Sequence, residues 1–141
     1  FELLFESWFS DVSECGTAII TSDCTTSQNG PCSMKLINAK VQPDYQVRIV
    51  QDNIPLELGA TYALKFAARS DTLRSIRAWV GNDGTPSASL GCDKSQMIGT
   101  AWQMYTITFT ATGTNQNATL AFETGNDLPT VWIDSVSLLK Q

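Results

Sequence analysis

Three stretches of this chain place arginines, carboxylates and a tryptophan at two-residue spacing. In YQVRIVQD, Val47 and Ile49 mark one face and leave Gln46, Arg48, Val50 and Asp52 on the other. In SIRAWVG, Ile76, Ala78 and Val80 oppose Arg77 and Trp79, and in ATLAFET, Leu120 and Phe122 oppose Thr119, Ala121 and Glu123. Side chains alternate across a strand, so strands that share a sheet would gather the second set on one face. That face would carry an indole, two guanidiniums, carboxylates, an amide and small residues that leave room. A pyranose has an apolar C–H face that packs on an indole, and hydroxyls that such polar groups can satisfy. Covering about 100 Å² of apolar surface over Trp79 would contribute about 2.5 kcal/mol, and Trp79→Ala would then remove binding and leave the fold intact. The competing reading is structural: an outward Trp packed under a loop, and an Arg–Glu surface pair of little value. A one-residue slip in register would send Trp79 into the core.

Other chemistries are poorly supplied. The sequence contains no histidine, which removes Ser–His and Cys–His nucleophile systems and most metal centres. Glu123 could pair with Asp52 or Asp83 as a glycosidase dyad, but none lies in a recognisable catalytic motif, so no catalytic residue is expected. A formal charge of −5 and nine scattered basic residues argue against nucleic acid, which requires clustered cations. No apolar run approaches the length of a membrane span, and no leader segment is evident, so a mature or excised secreted piece is expected.

Cys15, Cys24, Cys32 and Cys92 form no CxxC pair and have no histidine beside them, so disulfides are the better reading than zinc. Three connectivities are open. The preferred one joins Cys24 to Cys32 across TTSQNGP and Cys15 to Cys92 between distant loops, in an oxidising compartment.

The elements needed to position these groups are strands. Alternation is clear in YALKFAA, where Tyr62, Leu64 and Phe66 share a face, and in QMYTITFTAT, where Tyr105, Ile107 and Phe109 do. Further strands are predicted at 17–21, 33–37, 45–51, 75–81, 118–124 and 130–138, between clusters of Gly, Pro, Asn and Asp. No segment carries a capped helical stripe. The expected fold is all-β, a sandwich of two antiparallel sheets formed by one domain over 1–141.

The stretches LLFESW, LELGATYALKFAARS, IRAWVGNDGTP, WQMYTITFTAT and VWIDSVSLL, in that order, resemble the family 4, 9 and 22 group of carbohydrate-binding modules, with family 4 β-glucan binders the nearest match. The resemblance implies a jelly-roll sandwich with a concave ligand-binding sheet, a non-catalytic role, and a polysaccharide partner such as cello-oligosaccharide, amorphous cellulose or mixed-linkage glucan. It also implies a monomer tethered to a glycoside hydrolase. Xylan binding on the same fold and an adhesion domain are the alternatives. Carried onto this sequence, Arg77, Trp79, Asp83, Val50, Asp52, Thr119 and Glu123 match groove positions, and Arg48 and Gln46 share that face. Asp83 and Glu123 stand where an amide is more usual, and Ser87 where an aromatic often stands. Phe9 could supply the missing apolar platform, whereas Trp102 and Trp132 read as packing residues. The group also commonly holds a structural calcium, for which Asp134 matches the side-chain ligand position and Glu6 is a second candidate.

Overall fold

The computed structural model describes residues 7–13 and 16–141. Among the described residues ten strands follow in chain order: β1 (Phe9–Val12), β2 (Ala18–Asp23), β3 (Ser33–Asn38), β4 (Val47–Leu56), β5 (Thr61–Ser70), β6 (Arg74–Asn82), β7 (Ala88–Ile98), β8 (Gln103–Thr110), β9 (Asn115–Glu123) and β10 (Val131–Lys140). They form two antiparallel five-stranded sheets, ordered β1-β4-β9-β6-β7 and β2-β3-β10-β5-β8. The all-β sandwich expected from the alternation is the fold, in the jelly-roll form that the resemblance implies.

Tyr62, Leu64 and Phe66 of β5 are buried, as are Tyr105, Ile107 and Phe109 of β8. From the other sheet, Ile49, Ile76, Ala78, Leu120 and Phe122 complete the interior. Phe66 meets Phe122 edge to face across the two sheets at 4.8 Å, and Trp8 stacks on Phe122 at 6.1 Å. Arg74 is buried as well, but its guanidinium is spent on the carbonyls of Thr124, Asp127 and Pro129, which pins the β9–β10 loop.

Three expectations change. Strands β1 and β7 were not anticipated. β1 is only four residues long, and β7 is interrupted by Gly91 at φ +115° and by the polar run DKSQ, so neither shows a clear two-residue period. The strand expected at 45–51 begins later, because Asp44–Gln46 form a 3₁₀ turn after Pro43, and it runs on to Leu56 through a kink at Asn53 (φ 61°).

The third concerns the disulfides. Cys24–Cys32 is formed. Cys92 is a free, fully buried thiol on the inward face of β7, opposite Val80, so the expected Cys15–Cys92 bridge is not made. The Cys92 thiol lies 3.7 Å from the Ala78 carbonyl, and burial pushes its pKa up to about 12. Cys15 and Glu6 lie outside the described residues.

The loop closed by Cys24–Cys32 lies across the outer face of the β2-β3-β10-β5-β8 sheet. There a cross-strand row runs Thr21, Lys35, Trp132, Arg69. Lys35 Nζ is 5.2 Å from the centre of the Trp132 ring and the Arg69 guanidinium 4.7 Å, so the indole is flanked by cations. Trp132 Nε1 donates to Asp23, and Trp102 Nε1 donates to Thr26 of the loop. Trp132 is thereby buried, and Trp102 is half-buried with its indole N–H bonded within the fold.

Candidate functional site

The outer face of the β1-β4-β9-β6-β7 sheet is built from two neighbouring cross-strand rows. One reads Asp11, Arg48, Glu123, Arg77, Ser95 across all five strands. The other reads Phe9, Val50, Ala121, Trp79, Asp93. Register thus sets alternating charges side by side in the first row, with an apolar strip along the second.

The charged row is fully paired. Arg48 grips Asp83 with two parallel bonds of 2.9 and 2.8 Å and donates through Nε to Asp11 at 2.7 Å. Arg77 grips Asp93 in the same way at 2.7 and 2.8 Å, and gives Nη1 to Glu123 at 2.8 Å, with Asp44 3.6 Å away. Such bidentate forks are among the strongest side-chain hydrogen bonds. Burial works against the Arg48 charge, but the bonds to Asp83 and Asp11 outweigh it and its pKa lies above the ordinary value. Hydrogen bonds from Arg77 hold Asp93 below the usual carboxylate range. Glu123 shifts the other way, because its burial outweighs the Arg77 charge.

Beside this row opens a cleft of about 290 Å³, lined by Ser13, Tyr45, Arg48, Arg77, Trp79, Asp83, Ser87 and Glu123. Trp79 is on the outward side of the sheet, as the alternation requires, but it is not an open platform. It is 6 % exposed and packs with Val50 and Ala121 in a small apolar cluster separate from the main core. Gly81, on the same side of β6, makes room for the ring: a Cβ there would come 2.6 Å from Trp79 Cζ2 and 2.3 Å from the Ala88 carbonyl. The indole is thus largely covered and shows the cleft only a small part of its surface.

Of the other expected groove residues, Val50 and Thr119 are buried, and the Thr119 hydroxyl donates to Asp52 at 2.5 Å. Neither Thr119 nor Asp52 lines the cleft. Gln46 belongs to the 3₁₀ turn and not to the strand face. Phe9 is 47 % exposed in the same row as Trp79. Tyr45, not anticipated from the sequence, lines the cleft and is 50 % exposed. Its signal was an aromatic directly after Pro-Asp, which a reading of this segment as strand hides. Asp11, Asp44 and Asp93 were also missed, since only the strand order reveals that they face the two arginines.

At the calcium position implied by the resemblance, Asp134 follows a different chemistry. Its Oδ2 accepts the backbone N–H groups of Gln28 and Asn29 at 2.7 and 2.9 Å, and its Oδ1 accepts that of Ser135 at 2.6 Å. Three donors fill three of the carboxylate's roughly four lone-pair sites, and the second calcium candidate, Glu6, lies outside the described residues. No group of three or more His, Cys, Asp or Glu residues able to hold a metal occurs among the described residues.

This fold has known counterparts. Residues 1–130 match the family model of a carbohydrate binding domain, CBM_4_9, and the chain belongs to that family. Endoglucanase C of Cellulomonas fimi is 30 % identical over 105 residues, which is 67 % of this chain but only 9 % of that protein. A solved structure described as "CBM4 structure and function" superposes with a TM-score of 0.78 at 24 % identity, covering 97 % of this chain and 96 % of the other. The N-terminal cellulose-binding domain of C. fimi β-1,4-glucanase C gives 0.70 at 24 % identity, covering 96 % and 90 %. The CBM22-1–GH10 portion of Clostridium thermocellum endo-1,4-β-D-xylanase 10B, solved with xylohexaose, gives 0.72 at 17 % identity, covering all of this chain and 27 % of that one.

Proposed function

We propose that this carbohydrate-binding domain holds a single β-glucan chain in the cleft beside Arg48 and Arg77, and that it keeps an appended glycoside hydrolase on its substrate outside the cell. The observation that carries this reading is the pairing of a half-exposed aromatic, Tyr45, with a rim of carboxylates and guanidiniums around one 290 Å³ cleft. Tyr45 supplies the apolar surface for a sugar ring, and the half-exposed carboxylate of Asp83 can accept its hydroxyls. Relatives named for cellulose and β-1,4-glucan support the ligand class, and the Cys24–Cys32 bridge supports an oxidising location.

The way the carboxylates are used supports binding without hydrolysis. A glycosidase dyad needs one carboxyl free to give a proton and another free to attack or to activate water. Here Asp83 is clamped by Arg48, Glu123 is bonded to Arg77, and Asp52 takes the Thr119 hydroxyl.

Titration calorimetry with cellopentaose, xylopentaose and laminaripentaose tests the proposal. Micromolar to millimolar binding of cellopentaose is expected, equivalent to about −8 to −4 kcal/mol, and Tyr45→Ala should weaken it roughly tenfold while moving the melting temperature little. Preference for xylopentaose would shift the reading to xylan, for which the xylanase relative gives some support. Absence of heat with all three sugars would overturn it.

A further inference from the structure

Resting on the reading of this face as a glycan cleft, we propose that it sorts chains by charge: it accepts neutral segments and turns away segments bearing carboxylates, as in uronate-decorated or carboxymethylated glycans. Two arginines in a groove would ordinarily recruit an anionic ligand, since a guanidinium fork matches a carboxylate. In this molecule both forks are already filled from within, by Asp83 on Arg48 and Asp93 on Arg77.

The residual charge is negative. Asp11, Asp83, Asp93, Asp44 and Glu123 surround two guanidiniums, an excess of three negative charges, or two with Glu123 protonated. The aspartates that fill the two forks are also more accessible than the arginines they hold, whereas Glu123 is buried beneath Arg77. The Asp83 side chain is 35 % exposed against 15 % for Arg48, and Asp93 46 % against 29 % for Arg77. An incoming chain therefore meets acceptors first. A hydroxyl can donate to them, but an ionised carboxylate is acceptor-only: the hydroxyls of Ser13, Tyr45 and Ser87 are the donors the lining leaves it, and both guanidiniums beside them are already neutralised.

Two matched pairs of polymers test this: hydroxyethylcellulose against carboxymethylcellulose, and arabinoxylan against glucuronoxylan. Each pair shares a backbone and differs in the charge of its side groups. Affinity electrophoresis is run at salt concentrations spanning Debye lengths from about 30 Å to about 3 Å. At low salt the charged member of the bound pair should bind roughly tenfold or more weakly, a gap of the size one poorly screened like-charge contact produces. The gap should narrow at high salt and in Asp93→Asn at low salt, where the ratio of the two affinities is the readout. Equal binding of neutral and charged members at low salt, or a gap that ignores salt, overturns the charge-sorting proposal alone. Failure of all four polymers to bind overturns the glycan-cleft reading and this proposal with it.

Discussion

The two outer faces of the sandwich use the same residue types to opposite ends. On one, Trp79 lies next to Arg48 and Arg77 and their aspartates, beside an open cleft; on the other, Trp132 lies between Lys35 and Arg69 with Asp23 bonded to its indole N–H. What separates them is the cover. The Cys24–Cys32 loop is anchored on Asp134 and Trp102 of the Trp132 face, whereas no loop of comparable length is bonded across the Arg48–Arg77 row among the described residues. An aromatic–cation–carboxylate group on a sheet is therefore no signature of a ligand site until the loop above it is placed.

The largest effect is expected at the open face. Trp79→Ala removes the centre of the Val50–Trp79–Ala121 cluster, and the loss is estimated at about 3–5 kcal/mol of stability, in the range for large-to-small changes at buried aromatics. Urea denaturation measures it. A variant as stable as the parent would restore the reading of Trp79 as a surface platform, which its burial contradicts.

The covered face should yield next. Opening the loop with paired Cys24→Ser and Cys32→Ser substitutions should cost about 2.5 kcal/mol from loop-closure entropy alone. Because Asp134 and Trp102 hold this loop and not the cleft, glycan affinity well below the melting point should persist. In the parent protein, EDTA should leave the melting temperature nearly unchanged, as the donor set at Asp134 implies. A large calcium-dependent rise would instead bring a metal back to this face.

The smallest effect distinguishes the faces by pH. Hydrogen bonds from Thr25 and from the Trp132 indole hold the Asp23 carboxyl well below the usual range. A depressed carboxylate contributes stability above its unfolded pKa, near about 3.9, and that contribution is lost as pH falls through the folded value. Asp23→Asn should therefore flatten the acid limb of the stability curve. A limb unchanged in the variant would assign acid sensitivity to Asp93 on the open face, whose pKa is also depressed.

Much of the fold could be read from period-two alternation, because β5 and β8 each give one face wholly to the core. The same rule placed Arg48, Arg77, Trp79 and Glu123 on one outward side. It could not say how far the chain returns over that side. The depth to which Trp79 sinks depends on Val50 and Ala121 from two other strands and on the bare backbone of Gly81. Tyr45 escaped because a proline-led turn stands where alternation suggested a strand. Asp11 and Asp93 escaped because cross-strand register, set by strand order, decides which carboxylates meet which arginines.

Cys92 gives the molecule an internal timer. A sulfhydryl sealed between the sheets, with its proton held to about pH 12, can meet an alkylating reagent only when the two layers part. The rate at which that one sulfur is labelled, read by peptide mapping, reports how often the sandwich opens, whichever surface a ligand or a loop happens to occupy.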